Sequence, residues 1–192
     1  MAKLAIDIVL LPPEEVMDKA IDINRKLVDD PTKLDKKTCL PHASLCIGVI
    51  NTEDLQKLKD AVSEIAANSK ELALTITLNE ARECFEFEKS EALQELHEQV
   101  IQKASPHLTY DATLDMCYSP PPVVEKTLHW INNYKSKYSG ANFWPHITLA
   151  ANTLPPQPVT PPITFTAKRL AICHLGNWCT CREILFETEL RG

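Results

Sequence analysis

Two short segments far apart in the chain have one form: Pro41-His42-Ala43-Ser44-Leu45 and Pro145-His146-Ile147-Thr148-Leu149. Each opens an apolar run that reads as a strand, Leu40 to Ile50 and Trp144 to Ala150. Side chains alternate faces along a strand, so His42 and Ser44 point one way, as do His146 and Thr148. The residues between them point into a core. Proline is tolerated at a strand's first position, where its missing N–H breaks little of the ladder. A fold for this chain must therefore hold two strands that each show one imidazole and one hydroxyl on a common face.

The remaining pattern supplies the frame. Leu4 to Leu11 reads as a buried strand ended by Pro12-Pro13, and Glu14 to Val28 as a helix with acids in its first turn. Asn51 to Ser69 predicts a second helix capped by Thr52. Leu72 to Leu78 alternates as a half-buried strand should, and Cys84 to Glu88 predicts a strand paired with it. Ser90 to Ala104 predicts a helix capped by Ser90, and Val123 to Tyr138 another. Ile163 to Cys173 and Glu183 to Leu190 predict a closing hairpin around Leu175-Gly176-Asn177-Trp178. Adjacent strands mixed with helices favour antiparallel pairing and an α+β fold.

Paired histidines on strand faces suit phosphodiester cleavage. In-line displacement at phosphorus needs a base for the attacking oxygen and an acid for the departing one. Histidine fills either role near neutrality, and hydroxyls can donate to the non-bridging oxygens. The two motifs resemble those of the 2H phosphoesterase superfamily, which includes bacterial RNA 2′,5′-ligase-like proteins and cyclic nucleotide phosphodiesterases. Phe143 to Ala150 is similar to its second H-x-[S/T] motif and Pro41 to Ile50 to its first. The resemblance implies two pseudo-symmetric lobes of antiparallel sheet, flanked by helices around a central cleft, in one two-lobed domain over residues 1–192. It implies His42 and His146 as catalytic residues, with Ser44 and Thr148 binding substrate. The expected activity is metal-independent cleavage of a 2′,3′-cyclic phosphate or 2′,5′-type phosphodiester at a nucleotide or RNA end, with no cofactor. Ligation of RNA ends to a 2′,5′ linkage, and a non-catalytic nucleotide or RNA-end binding role, are the alternatives. Which histidine is acid and which base stays open.

A third copy, Pro106-His107-Leu108-Thr109, also fits the tripeptide, but it lacks a sustained apolar run and too many elements follow it. His146 is therefore preferred over His107. His174 reads as a hydrogen-bonded structural residue, and His97 and His129 as surface or boundary positions on helices. Cys46 is expected to share a face with His42 and Ser44 as a packing residue. Phe143, Trp144 and Trp178 could stack on a base or fill core between the lobes. Lys36, Lys37 and Arg182 are candidates for phosphate charge. Cys179-Thr180-Cys181 offers two thiols for a soft metal, too few for a site.

A net charge of −6 and the absence of a basic stripe argue against wrapping of long nucleic acid. Seven cysteines, an odd number, fit a reduced cytoplasmic protein better than a secreted disulfide framework. No apolar run reaches the roughly 20 residues that cross a bilayer, and a monomer with no membrane partner is expected. The proline-rich loops Ser119 to Pro122 and Thr153 to Pro162 are candidate covers for the cleft.

Overall fold

The structure, a computed structural model, describes residues 2–27, 32–78, 84–151 and 162–192. Its elements run β1 (Lys3–Leu11), α1 (Glu14–Asn24), β2 (Ala43–Asn51), α2 (Leu55–Asn68), β3 (Leu72–Leu78), β4 (Cys84–Phe87), α3 (Glu91–Ala104), α4 (Glu125–Asn133), β5 (His146–Thr148), β6 (Ile163–Ala167), β7 (Arg169–Leu175) and β8 (Cys181–Glu189). The strands form a sheet of order β6-β3-β4-β5-β2-β1-β7-β8, in which every pairing is antiparallel. The fold is α+β, as expected. Four strands lie on each side of the β5–β2 junction, and these are the two lobes. They meet at a single ladder pair, Ala43↔Ile147.

Only Lys168 separates β6, at one edge of the sheet, from β7 near the other, so the sheet must curl to bring its ends together. Hydrogen bonds close the far side: Glu71 N–H donates to the Arg191 carbonyl and Arg191 N–H to that of Ser69. The predicted strand Ile163 to Cys173 is thus broken at Lys168, its halves serving different lobes. The expected hairpin forms from β7 and β8.

Central strands are covered on both faces, which is why β1 is a nearly continuous apolar run. On one face Val16, Met17, Ala20 and Ile21 of α1, Leu58, Val62 and Ile65 of α2, and Leu93, Leu96 and Val100 of α3 join the main core. Each large side chain so buried contributes about 1.5–3 kcal/mol. On the other face a smaller cluster gathers Ala5, Ile47, Val49 and Leu175 beneath Ile131 of α4 and Tyr134 beyond it. The cleft opens on this second face.

Local chemistry moves several predicted boundaries. The first helix ends at Asn24, whose buried amide donates to the Thr32 and Leu149 carbonyls and accepts from Leu34 N–H. A side chain that satisfies three backbone groups outside the helix ends it and fixes the chain just beyond Thr148. Thr52 does not cap α2; its N–H and hydroxyl both donate to the Ala2 carbonyl, and a 3-10 turn, Thr52–Asp54, comes first. Ser90 does cap α3, accepting from Leu93 N–H. The predicted helix Val123 to Tyr138 divides into α4 and a π-helical turn, Tyr134–Tyr138. Strand β5 keeps three residues, because Leu149 and Ala150 turn into the core instead of pairing.

Candidate active site

The Ala43↔Ile147 pair sets the geometry. Both side chains are buried in the main core, at 2% and 0% exposure. Their neighbours along each strand therefore point to the cleft, and antiparallel pairing sets His42 diagonal to His146 and across from Thr148, with Ser44 across from His146. Directly opposite positions in such a ladder have Cβ atoms about 4.5–5.5 Å apart. All four residues line a cleft of about 430 Å³.

The two imidazoles are held alike. His42 Nδ1 lies 2.7 Å from the Leu40 carbonyl and His146 Nδ1 lies 2.9 Å from that of Trp144, in each case the carbonyl two residues earlier. A carbonyl only accepts, so Nδ1 carries the hydrogen in both rings and Nε2 is the nitrogen for proton exchange with a substrate. Leu40 is itself fixed by donating its N–H to the Cys181 carbonyl of β8. The His146 ring stacks on Trp144 at 4.1 Å, and Glu86 is its cross-strand partner on β4. Burial holds both histidines below the ordinary imidazole value. For His42 the bond to the Leu40 carbonyl and the backbone of Cys179 pull upward, while the nearby His146 charge lowers it further. For His146 the Trp144 bond and Glu86 pull upward.

Beneath the first motif lies Asp7, fully buried on β1. A bulge brings it there: Ile8 pairs with Cys46 and Val9 with Ser44, so Leu45 is an extra residue on β2. The skip turns Ser44 toward the face shared by Val9 and Asp7, and Ser44 Oγ lies 2.5 Å from Asp7 Oδ2. His42 Nε2 is 3.8 Å from the same oxygen, and among the described residues Asp7 Oδ1 has no hydrogen-bond partner. Burial raises the Asp7 carboxyl well above the usual carboxylate range, against the Ser44 and Cys46 hydrogen bonds that lower it. Cys46 pairs with Ile8 across the bulge, and burial lifts its thiol well above its ordinary value, so it is a packing group.

The cleft walls are aromatic: Trp130, Tyr134, Tyr138, Phe143, Trp144 and Trp178. Trp178 sits in the left-handed region, φ 60° and ψ 28°, with Cys179 beside it at φ 54°. Non-glycine residues there cost roughly 1–2 kcal/mol. A buried polar knot holds the turn: Asn177 Oδ1 accepts from Val124 N–H and the Thr127 hydroxyl, and Trp178 N–H donates to Thr127 Oγ1. Lys126 Nζ lies 5.1 Å and 5.5 Å from the Trp130 and Trp178 ring centroids. Among the described residues it is the cleft's one lysine or arginine. Lys36 instead pairs with Glu14 and Asp18, and neither Lys37 nor Arg182, whose guanidinium covers Tyr118, lines the cleft.

The other histidines lie outside the site. His107 ends a 3-10 turn after α3; Thr109 pairs with Val49 and donates its hydroxyl to Asp111, so the third motif copy makes only an isolated bridge to β2. His174 bonds the Met116 carbonyl, a structural role as expected, and His129 is exposed on α4. His97 departs from expectation, being fully buried. Its Nδ1 donates to the Leu45 carbonyl and its Nε2 accepts from Gly140 N–H, while the ring stacks on Phe143 at 3.8 Å. It thus ties α3 both to the strand after Ser44 and to the segment before Trp144. Cys181 is disulfide-bonded to Cys173, which leaves no thiol pair with Cys179. Among the described residues no three potential metal-ligating side chains gather. Segment Ser119 to Pro122 does not line the cleft, and 152–161 lie outside the described residues.

Asp7, Glu86, Lys126 and Trp130 were not singled out by sequence reasoning. Only Asp7 leaves a signal there: it is a lone carboxylate inside an aliphatic strand.

No protein-family profile matches the sequence, and no curated protein sequence matches it. Solved structures do match in fold over the whole chain. E. coli LigT complexed with NADP+ is 12% identical, covers 100% of both chains and superposes with a TM-score of 0.60. The protein TT0787 of Thermus thermophilus is 16% identical over 98% of this chain and 99% of that one, with a TM-score of 0.58. A protein described as a phosphoesterase is 12% identical over 98% and 99%, with a TM-score of 0.56. No helix among the described residues is long and apolar enough to cross a membrane.

Proposed function

We propose that this protein, built on the fold of E. coli LigT, is a phosphodiesterase of the 2H kind that acts on nucleoside 2′,3′-cyclic phosphates or related phosphodiesters at nucleotide or RNA ends. The observation that carries this reading is the Ala43↔Ile147 pair. It gathers two imidazoles and two hydroxyls on one cleft face, with both Nδ1 atoms tied to backbone.

In the reaction, one imidazole Nε2 takes a proton from water as its oxygen bonds to phosphorus. The other gives a proton to the ribose oxygen as its bond to phosphorus breaks. Ser44 and Thr148 hydroxyls donate to the non-bridging oxygens as charge builds there. Two close imidazoles oppose a second positive charge, so the working pair holds one proton. Glu86 beside His146 favours the proton there, which makes His146 the acid and His42 the base. The chemistry asks nothing of a metal.

The substrate's base fits the aromatic walls, where stacking is worth about 1–3 kcal/mol per base. The LigT structure with NADP+ and another with 3′-AMP are nucleotide complexes on the same fold. One lysine and a net charge of −6 favour a substrate with little phosphate charge over a long RNA.

The test is incubation with each nucleoside 2′,3′-cyclic phosphate in excess chelator, with phosphorus NMR of the products. Ring opening to one monophosphate isomer is expected. Binding without turnover of any cyclic or 2′,5′-linked substrate would replace this reading with a nucleotide-binding role.

A further inference from the structure

The Ser44–Asp7 contact poses a problem of hydrogen counting. A serine hydroxyl has one hydrogen. If Asp7 is an ionised carboxylate, it only accepts, and the Ser44 hydrogen is spent on it. Ser44 would then present lone pairs to an anionic phosphate, which repels. If Asp7 carries a proton on Oδ2, it donates to Ser44 Oγ, and the Ser44 hydrogen is released for the substrate.

The surroundings of Asp7 decide between these states. The residue is 0% exposed, and among the described residues Oδ1 has no hydrogen-bond partner. A buried carboxylate with an orphaned oxygen is strongly disfavoured, while the neutral acid is not. No described lysine or arginine pairs with it. The groups that face it are His42 just before β2, Cys46 on β2, Tyr134 from the π-helical turn and Cys179 from the β7–β8 turn, with Tyr110, from the segment after α3, beyond them against Cys46. Cys173, its ladder partner on β7, is in the disulfide. Burial keeps the facing thiols and phenols neutral, and holds His42 toward its neutral form. The exposed Lys135 is felt at Cys46. Against burial stand the Ser44 and Cys46 hydrogen bonds, and among the described residues no cation other than a protonated His42 lies against the carboxyl.

We propose that Asp7 is a positioning residue that works as a protonated acid, donating from Oδ2 to Ser44 Oγ and thereby turning the Ser44 hydrogen toward the substrate phosphate. The inference rests on the phosphodiesterase reading for its consequence but not for its chemistry. Loss of the Asp7 proton has two effects: Ser44 turns inward, and a negative charge appears 3.8 Å from His42 Nε2. Activity should therefore fall at alkaline pH for a reason located at Asp7.

The test compares wild type with Asp7→Asn and Asp7→Ala, and Ser44→Ala serves as reference. The asparagine amide donates to Ser44 at every pH. Asp7→Asn is expected to keep kcat within about threefold of wild type at neutral pH and to shift the alkaline limb of the profile to higher pH. Asp7→Ala should approach Ser44→Ala, about a hundredfold down, as for loss of one oriented donor. A carboxylate role predicts instead that Asp7→Asn fails as badly as Asp7→Ala while still folded by circular dichroism, and that would overturn the proposal. A purely structural role predicts an unchanged pH profile in Asp7→Asn, which would also overturn it. Carbon-13 NMR of the Asp7 carboxyl, assigned with Asp7→Asn, reads the proton without any turnover. A protonated resonance at neutral pH is expected and an ionised one refutes the proposal, even if no substrate is ever cleaved.

Discussion

Replacing His97 with alanine should destabilise the protein by roughly 3–5 kcal/mol. The figure follows from what the ring touches. The Leu45 carbonyl is buried and loses its donor, a loss of about 1–3 kcal/mol for an orphaned buried group. Gly140 N–H is partly exposed and recovers water in part, so its loss is nearer 1 kcal/mol. The stack on Phe143 adds about 0.5–1.5 kcal/mol. Against a typical total of about 5–15 kcal/mol this is a large fraction. His97→Phe keeps the stack and loses both bonds, so it should fall between alanine and wild type. Urea unfolding at pH 7.5 with a shared slope gives these differences directly. A loss under about 1 kcal/mol in His97→Ala would refute the claim that this ring clamps the two histidine strands together.

The lowered histidines also set a pH dependence. His42, His97 and His146 all have folded values below 6.5, so the unfolded chain binds protons first as pH falls. Stability should decline as pH drops below about 6.5, and His97→Phe should show a smaller decline in urea titrations. Asp7 acts in the opposite sense: its folded value is raised above 3.8, so its contribution is lost as pH rises, and Asp7→Asn should melt higher than wild type at pH 8. The base of the working pair must be neutral, and burial holds the imidazoles below their ordinary value. The fall in kcat/KM as the pair takes a second proton should therefore come only on the acid side of 6.5, read from the acid limb of a pH–rate profile. Trp178→Gly removes a stacking surface and relieves a left-handed tryptophan; KM should rise about tenfold to a hundredfold with no loss in melting temperature.

The two histidine strands were legible because their signal is local: a proline, an imidazole, a hydroxyl and an apolar run. So was β3, whose Leu72, Leu74 and Ile76 alternate inward. What stayed hidden depends on contacts across the sheet. The bulge at Leu45, which aims Ser44 at Asp7, has no glycine or other local mark. His97 reads as an ordinary helix position because its partners are 52 and 43 residues away. The break at Lys168 follows from sheet curvature, and the left-handed Trp178 is held by Asn177 and Thr127 against the local preference of its own residue type. Lys126 became the cleft's cation through the placement of α4, whereas Lys36 was drawn to α1 carboxylates.

The central claim is that His42 and His146 exchange protons with one substrate across the Ala43↔Ile147 pair. Its most direct test is kcat/KM on a nucleoside 2′,3′-cyclic phosphate, in chelator, for wild type, His42→Ala, His146→Ala and His107→Ala. The account predicts losses of about 10²–10⁴ in each of the first two variants and wild-type rates in the third. Full activity in His146→Ala with loss in His107→Ala would contradict it.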